Sequence, residues 1–334
     1  MYLNISLLLV AALAAVLTLV RAIRSPLYNS RGWIYASVGV LVAAVISWLL
    51  VPTLAGYIAI ATWAIFVFVP AQGFRALSRL IYRGKYGRAR QLARFLRWLH
   101  PFSDWRWEDA TLQAYDRASQ GDVSGALEIL ANNQPRDSRL RQHSEIYVYR
   151  LTGDWKGLLS WLRERLEAEE ELRSPEVVAL YVRALGETGD LNGMIEAFQQ
   201  YKPLLAQVSA ILRESHLPVF SFCGRRELVE KIFESGTLGK GEPDLQAMWL
   251  GTAELAAGET EAGRARLAPL LQADNHMFRL AAGRRLSEDM ALAEKVLTPE
   301  SARSLAIIEQ EWAEDRPMSY TVDGAAMDAE ALEP

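Results

Sequence analysis

Two uncharged stretches decide what this chain can fold into. Tyr2 to Val20 gives 19 consecutive residues without a charge, and Trp33 to Val69 gives 37. At ~1.5 Å per helical residue the first just crosses a hydrocarbon layer of ~30 Å, and the second is about twice as long as one crossing needs. Val51-Pro52-Thr53 lies near the middle of the longer stretch, where a proline removes a backbone donor and breaks a helix. The chain therefore reads as a membrane domain over 1–74 with three spans, about 2–20, 33–51 and 54–73, the last two joined by a tight hairpin. Arg21 and Arg24 follow the first run and nothing basic precedes it, the reverse of a cleavable signal peptide. Trp33, Tyr35, Trp48, Tyr57 and Trp63 fall toward span ends, as expected of aromatic rings at a membrane–water boundary. Neither stretch holds an ionisable side chain that would mark a transport or proton pathway.

Charge divides the chain as sharply as hydropathy does. Residues 1–100 carry eleven Lys or Arg and no Asp or Glu, whereas the remainder carries 25 basic and 40 acidic residues. Arg21, Arg24 and Arg31 lie between spans one and two, and Arg75, Arg79, Arg83, Lys85, Arg88, Arg90, Arg94 and Arg97 follow span three. Positive charge collects on the cytoplasmic side of spans, so both segments are expected there, with the amino terminus and the Pro52 hairpin outside. Arg75, Arg79 and Arg83 recur every four residues on one stripe, and Leu92, Phe95, Leu96 and Leu99 make an apolar face opposite Arg90, Arg94 and Arg97. Residues 75–104 thus read as a basic amphipathic segment on the membrane surface. Its eight basic side chains would meet anionic lipids, gaining about 1 kcal/mol each. Trp98, Trp105 and Trp107 around His100-Pro101 complete an aromatic cluster before the next domain.

Downstream the governing feature is a period. Gly121-Asp122, Gly153-Asp154, Gly189-Asp190, Gly224-Arg225 and Gly258-Glu259 follow helical runs at spacings of 32, 36, 35 and 34, close to the tetratricopeptide repeat of 34. Glycine ends a helix by accepting positive φ, and an aspartate after it caps the next. First helices are expected at about 105–120, 137–152, 175–188, 204–222 and 244–257. Their partners fall at 122–133, 155–170, 190–201, 225–235 and 259–272, with further helical pattern over 275–312. The fold class is all-α, with three amino-terminal transmembrane helices followed by a tetratricopeptide-like α-solenoid over 105–313. Residues 314–334, acidic and without apolar periodicity, read as a disordered tail.

Candidate chemistry is sparse. Gly236-Thr237-Leu238-Gly239-Lys240-Gly241 lacks the Ser or Thr and the preceding strand of a phosphate loop and reads as a connector. Cys223, the lone cysteine, reads as a packing residue. His143, His216 and His276 fall in separate repeat units and read as surface or groove residues, not as a shared metal site. The acidic run from Glu167 to Glu171 reads as a solvated helix end. No catalytic constellation, metal site or cofactor site emerges, and the chain is expected not to be an enzyme.

Gly73-Phe74-Arg75, Arg79-Leu80-Ile81-Tyr82 and Arg97-Trp98-Leu99-His100-Pro101, placed after three spans and before helical repeats, resemble the amino-terminal extension of a group of bacterial rhomboid intramembrane proteases, over residues 1 to about 312. The resemblance implies a bacterial inner or plasma membrane and a membrane-tethered repeat module preceding a protease core. The GxSG serine motif and transmembrane histidine of that core are absent here, so no catalytic residue carries over. The combination is also similar to heme-biosynthesis-associated membrane proteins that carry tetratricopeptide repeats.

The expected function is a membrane-anchored scaffold whose repeats bind a protein or peptide client at the cytoplasmic face, with Tyr115, Tyr147, Tyr149, Tyr181 and Arg183 as groove residues. The alternative is a non-catalytic accessory or degenerate relative of a rhomboid intramembrane protease, in a membrane enzyme complex. The acidic balance of the repeats disfavours nucleic acid.

Overall fold

The structure, a computed structural model, describes residues 2–24, 30–99, 105–133, 138–168, 174–235, 243–287 and 297–314. Among them the chain is all-α. The runs around His100-Pro101 and Gly236–Gly241, the end of the Glu167–Glu171 run and the tail after Glu314 lie outside the described residues. Packing divides the chain into two compact units, Met1–Thr152 and Gly153–Pro334. The first unit thus joins the apolar helices, the basic segment and the first helical pairs.

Three helices are long and apolar enough to cross a membrane. Helix α1 covers Tyr2–Arg24 and α2 Ser30–Leu50; α3, Ala55–Trp63, runs through a π-helical turn at Ala64–Phe68 into α4, Val69–Tyr82. The break falls at Pro52, as its chemistry requires. Pro70 does not break the third helix. It cannot donate to a carbonyl one turn back, and the helix widens just before it, the Val69 amide donating to the Ala64 carbonyl five residues earlier.

The interior of this bundle is built from small side chains, with Ala11, Ala44 and Ala59 in one layer and Ala15, Val40 and Val67 in the next. Leu9, Leu13, Leu17, Val45, Leu49 and Ile58 point outward. Large apolar residues outside and alanine inside is the arrangement of helices solvated by lipid, where close backbone approach holds the bundle together. One polar residue fixes its end. Asn4 on α1 donates from Nδ2 to the Pro52 carbonyl at 2.7 Å, and its Oδ1 accepts from the Gly56 amide at 2.7 Å. It thereby ties α1 to both sides of the turn between α2 and α3.

The remaining helices are α5 (Tyr86–Leu99), α6 (Trp105–Ser119), α7 (Val123–Asn132), α8 (Ser138–Thr152), α9 (Trp155–Ala168), α10 (Pro175–Thr188), α11 (Leu191–Leu205), α12 (Ser209–Phe222), α13 (Arg226–Glu234), α14 (Pro243–Ala256), α15 (Thr260–Leu267), α16 (His276–Ser287) and α17 (Pro299–Glu314). Most expected boundaries fall within two residues of these. Among the repeat helices the larger differences are α12, which begins at Ser209 and not near 204, α11, which runs to Leu205 and not 201, and α15, which ends at Leu267 and continues as a 3-10 turn over Ala268–Gln272. Leu205 is fully buried and keeps α11 helical past Pro203, and the chain becomes extended only at Val208.

All five repeat glycines adopt positive φ, between 68° and 89°. Where aspartate follows, it caps the next helix as its spacing predicts: Asp122, Asp154 and Asp190 each accept from the amide of a glycine three residues on, at 2.9 Å. Gly84 belongs to the same series. Its φ is 73°, and the Lys85 amide donates to the Leu80 carbonyl at 2.8 Å, matching Asp190 to Leu185 at 2.9 Å. The helical hairpins therefore begin with α4 and α5, ahead of residue 105. That turn lies inside the basic segment next to the third span, ahead of the stretch over which the glycine period was read.

Candidate functional site

In the first unit α5 is set by Gly84, which turns the chain back along α4. Ala89, Ala93 and Leu96 pack with Leu77 of α4 and Leu112 of α6. The inward face is thus the expected apolar face shifted toward the alanines: Leu96 is buried and Leu92 packs against the same cluster, and small Ala89 and Ala93 let helices approach on both sides. Phe95 turns outward. Of the eight basic residues, Arg90 is drawn into a bidentate pair with Asp109 of α6 at 2.8 and 2.9 Å and also donates to Gln113 at 3.0 Å. Arg94 reaches the same carboxylate at 3.2 Å. Hydrogen bonding to Arg90 holds the Asp109 carboxyl below the usual carboxylate range, against burial. Arg75, Arg79, Arg83, Lys85, Arg88 and Arg97 are exposed.

Three of the tyrosines singled out lie here. Tyr115 of α6 sits 4.5 Å from the Tyr147 ring and meets the Tyr86 ring edge-on at 5.8 Å, while the Tyr86 and Tyr147 hydroxyls are 3.2 Å apart. Burial raises the Tyr115 phenol above its ordinary pKa, opposed by a hydrogen bond with Ser144. The ladder joins α5, α6 and α8 and serves packing first. Tyr147 and Tyr149 are half-buried.

In the second unit Tyr181 packs edge-on against Tyr201 at 6.5 Å. Arg183, one turn before Glu187 on α10, leads to a buried charge cluster of this unit. The Glu187 side chain is 1% exposed and is met by Arg183 at 3.4 Å, by Arg285 at 3.1 Å and by Arg284. The Arg285 side chain is itself fully buried. Arg183 lies over the rings of Trp155 and Trp249 at 5.2 and 5.0 Å, and Arg284 over Trp155 at 5.4 Å. Burial alone would raise the Glu187 pKa; Arg285, Arg183 and Arg284 overcome it and hold the carboxyl below its usual value. The Arg183–Glu187 spacing of four is visible in the sequence. The arrival of α16, about a hundred residues later, is not.

Helix α17 docks on α11 and α12. Leu305, Ile308 and Trp312 form its buried stripe, with Lys202–Glu311 at 2.6 Å and Arg225–Glu309 at 2.5 Å along the edges. Trp312 comes within 5.0 Å of His216, which also packs against Phe198 and Phe220. His216 is therefore a core residue, contrary to the surface or groove position expected from its sequence. Neighbouring aromatics from another helix bury it, and its Nδ1 is satisfied at 2.8 Å from the Leu212 carbonyl. His143 is exposed, and His276 is half-buried with its pKa lowered by burial and then by Arg279. Burial pushes the Cys223 thiol up to about 12, so it remains a thiol at neutral pH. Among the described residues no three His, Cys, Asp or Glu side chains cluster as metal ligands would. The chain matches no family model, no curated protein and no solved structure.

Proposed function

We propose that this protein is a membrane-anchored scaffold of tetratricopeptide type that presents helical hairpins to a protein or peptide client at the cytoplasmic face of a bacterial inner membrane. The observation that carries the reading is the turn series: glycines at a period near 34, each at positive φ, in a chain that also holds three helices suited to a membrane. Stacked helical hairpins of this period present extended surfaces for partners and need no catalytic group. Tyr149 on α8 of the first unit and Tyr181 on α10 of the second are each half-buried, and each keeps an exposed edge to offer a client. A second reading, an accessory to a rhomboid protease, rests on the Arg97-Trp98-Leu99-His100-Pro101 run.

A photoreactive phenylalanine analogue at Tyr149 or Tyr181 of the full chain in cells is expected to give a discrete protein adduct. The same analogue at Leu13, which faces outward from α1, is expected to give lipid adducts. Protein adducts from Leu13 alone would assign partner contact to the spans and overturn the scaffold reading; an adduct with an intramembrane protease would favour the second reading. Orientation has its own test. With Cys223 replaced by serine, a single cysteine at exposed Glu261 is expected to resist a membrane-impermeant thiol reagent in intact cells and to react once they are opened. Reaction in intact cells would reverse the topology.

A further inference from the structure

Resting on the membrane reading of α1 to α4, we infer that the carboxy-terminal end of α5 is a second membrane contact, with Phe95 and Trp98 seated in the headgroup layer of an anionic phospholipid surface. The observation is a juxtaposition made by the Gly84 turn. Helix α5 runs back along α4 until Leu96 meets Gly73: a Cβ on Gly73 would stand 2.3 Å from Leu96 Cδ2. Gly73 closes the apolar stretch of the third span. Trp33, at the start of the second span, marks the same level, its ring 5.8 Å from that of Phe74. The end of α5 is thereby returned to the level where two spans leave the hydrocarbon.

At that level α5 shows solvent the wrong side chains for water. Phe95 is 58% and Trp98 83% exposed, while the alanine stripe on the other side is consumed by α4 and α6. Trp98 lies two residues beyond Leu96, about 3 Å further along the helix. A tryptophan there gains from the boundary region, where its ring is desolvated and its N–H still finds a partner. Charge selects the lipid. Arg97 precedes Trp98 and is exposed, Arg75 follows Phe74 and is exposed, and no acidic residue occurs within residues 1–100. Arginine stems cover apolar surface while their guanidiniums reach phosphate. The Arg90–Asp109 pair then couples this contact to α6, so that lipid binding at α5 orients the next helical hairpin, α6 and α7.

The test uses the full chain with Cys223→Ser, spin-labelled at a single cysteine and reconstituted into vesicles of phosphatidylcholine alone or with phosphatidylglycerol. A label at Trp98→Cys is expected to collide more with oxygen than with a polar nickel complex, and more so when phosphatidylglycerol is present. Labels at Gln91→Cys, about 10 Å up the helix from Trp98, and at Glu261→Cys are expected to show the aqueous pattern. An aqueous pattern at 98 with a lipid pattern at Leu13→Cys would overturn this inference and leave the spans standing. Aqueous patterns at both would overturn the membrane reading itself, and a lipid pattern at 98 indifferent to phosphatidylglycerol would overturn the anionic preference.

Discussion

Glu187→Gln is expected to loosen the second unit by ~3–5 kcal/mol, the range for removing one partner of a buried ion pair. The glutamine keeps the shape but leaves the guanidinium of Arg285, fully buried, without its anion. Arg183 and Arg284 lose the same carboxylate. Hydrogen exchange on the reconstituted full chain should show protection falling together in α10 and α16, because the pairs from Glu187 to Arg284 and Arg285 join those helices. Glu230→Gln, which removes an exposed partner of Arg226, should leave exchange close to that of the parent. Equal effects of the two substitutions would show that the cluster does not hold the unit together.

The same carboxylate sets an acid limit. Its folded pKa is depressed, so the folded state binds the proton less readily than the unfolded chain does. The resulting stabilisation is complete above the unfolded value of about 4.3 and is lost as pH falls through the folded value. Loss of α10 and α16 protection should begin below about pH 4 in the parent. In Glu187→Gln this dependence should be absent.

Gly56→Ala is the second substitution with a large expected effect. Its Cβ would stand 1.9 Å from the Asn4 carbonyl oxygen and 2.8 Å from Asn4 Oδ1. The first of these is backbone, so α1 and α3 must separate. Overpacking commonly costs ~1–3 kcal/mol, and the clash also pulls apart the bonds from Asn4 to Gly56 and Pro52. The full chain in mild detergent should lose thermal stability and become cleavable in the Pro52 turn. Ala59→Gly, which leaves a void in the same bundle without separating the backbones, should be milder. Unchanged stability of Gly56→Ala would mean that Asn4 does not clamp the turn.

Much of the architecture was legible because its signals are local. A proline at 52, an uncharged run long enough for two helices and glycine turns at a fixed period each act on their own neighbourhood. The aspartate caps follow from spacing alone, since the side chain of Asp122, Asp154 or Asp190 reaches the amide three residues on. Gly84 escaped because it lies in the basic stretch beside the third span, where charge and hydropathy, not a glycine period, dominate the pattern. Pro70 shows the opposite case, a local breaker absorbed by a π-helical turn.

The candidate surfaces were less legible. Tyr115 and Arg183 stand out in the sequence as groove residues, yet Tyr115 is an element of a packed ladder and Arg183 is bound to a buried carboxylate. His216 looked like a surface residue because nothing near it in sequence foretells Trp312, 96 positions later. On α5 the buried face is turned only part of the way from the one expected, keeping Leu92 and Leu96 inside and putting Phe95 outside. An apolar stripe identifies a face that avoids water, but not whether protein or lipid covers it, and on α5 the alanines take the protein side while Phe95 and Trp98 are left outside.

The sequence by itself determined three apolar helices, a basic segment after them and a run of helical hairpins, since hydropathy, charge and glycine conformation are properties of short stretches. Only the tertiary structure decided that Asn4 ties α1 to the turn between α2 and α3, that α5 runs back along α4 until Leu96 meets Gly73 and that Glu187 collects three arginines. Each of these depends on contacts between residues far apart in the chain, and such contacts are chosen by the joint packing of several helices, which no single stretch encodes.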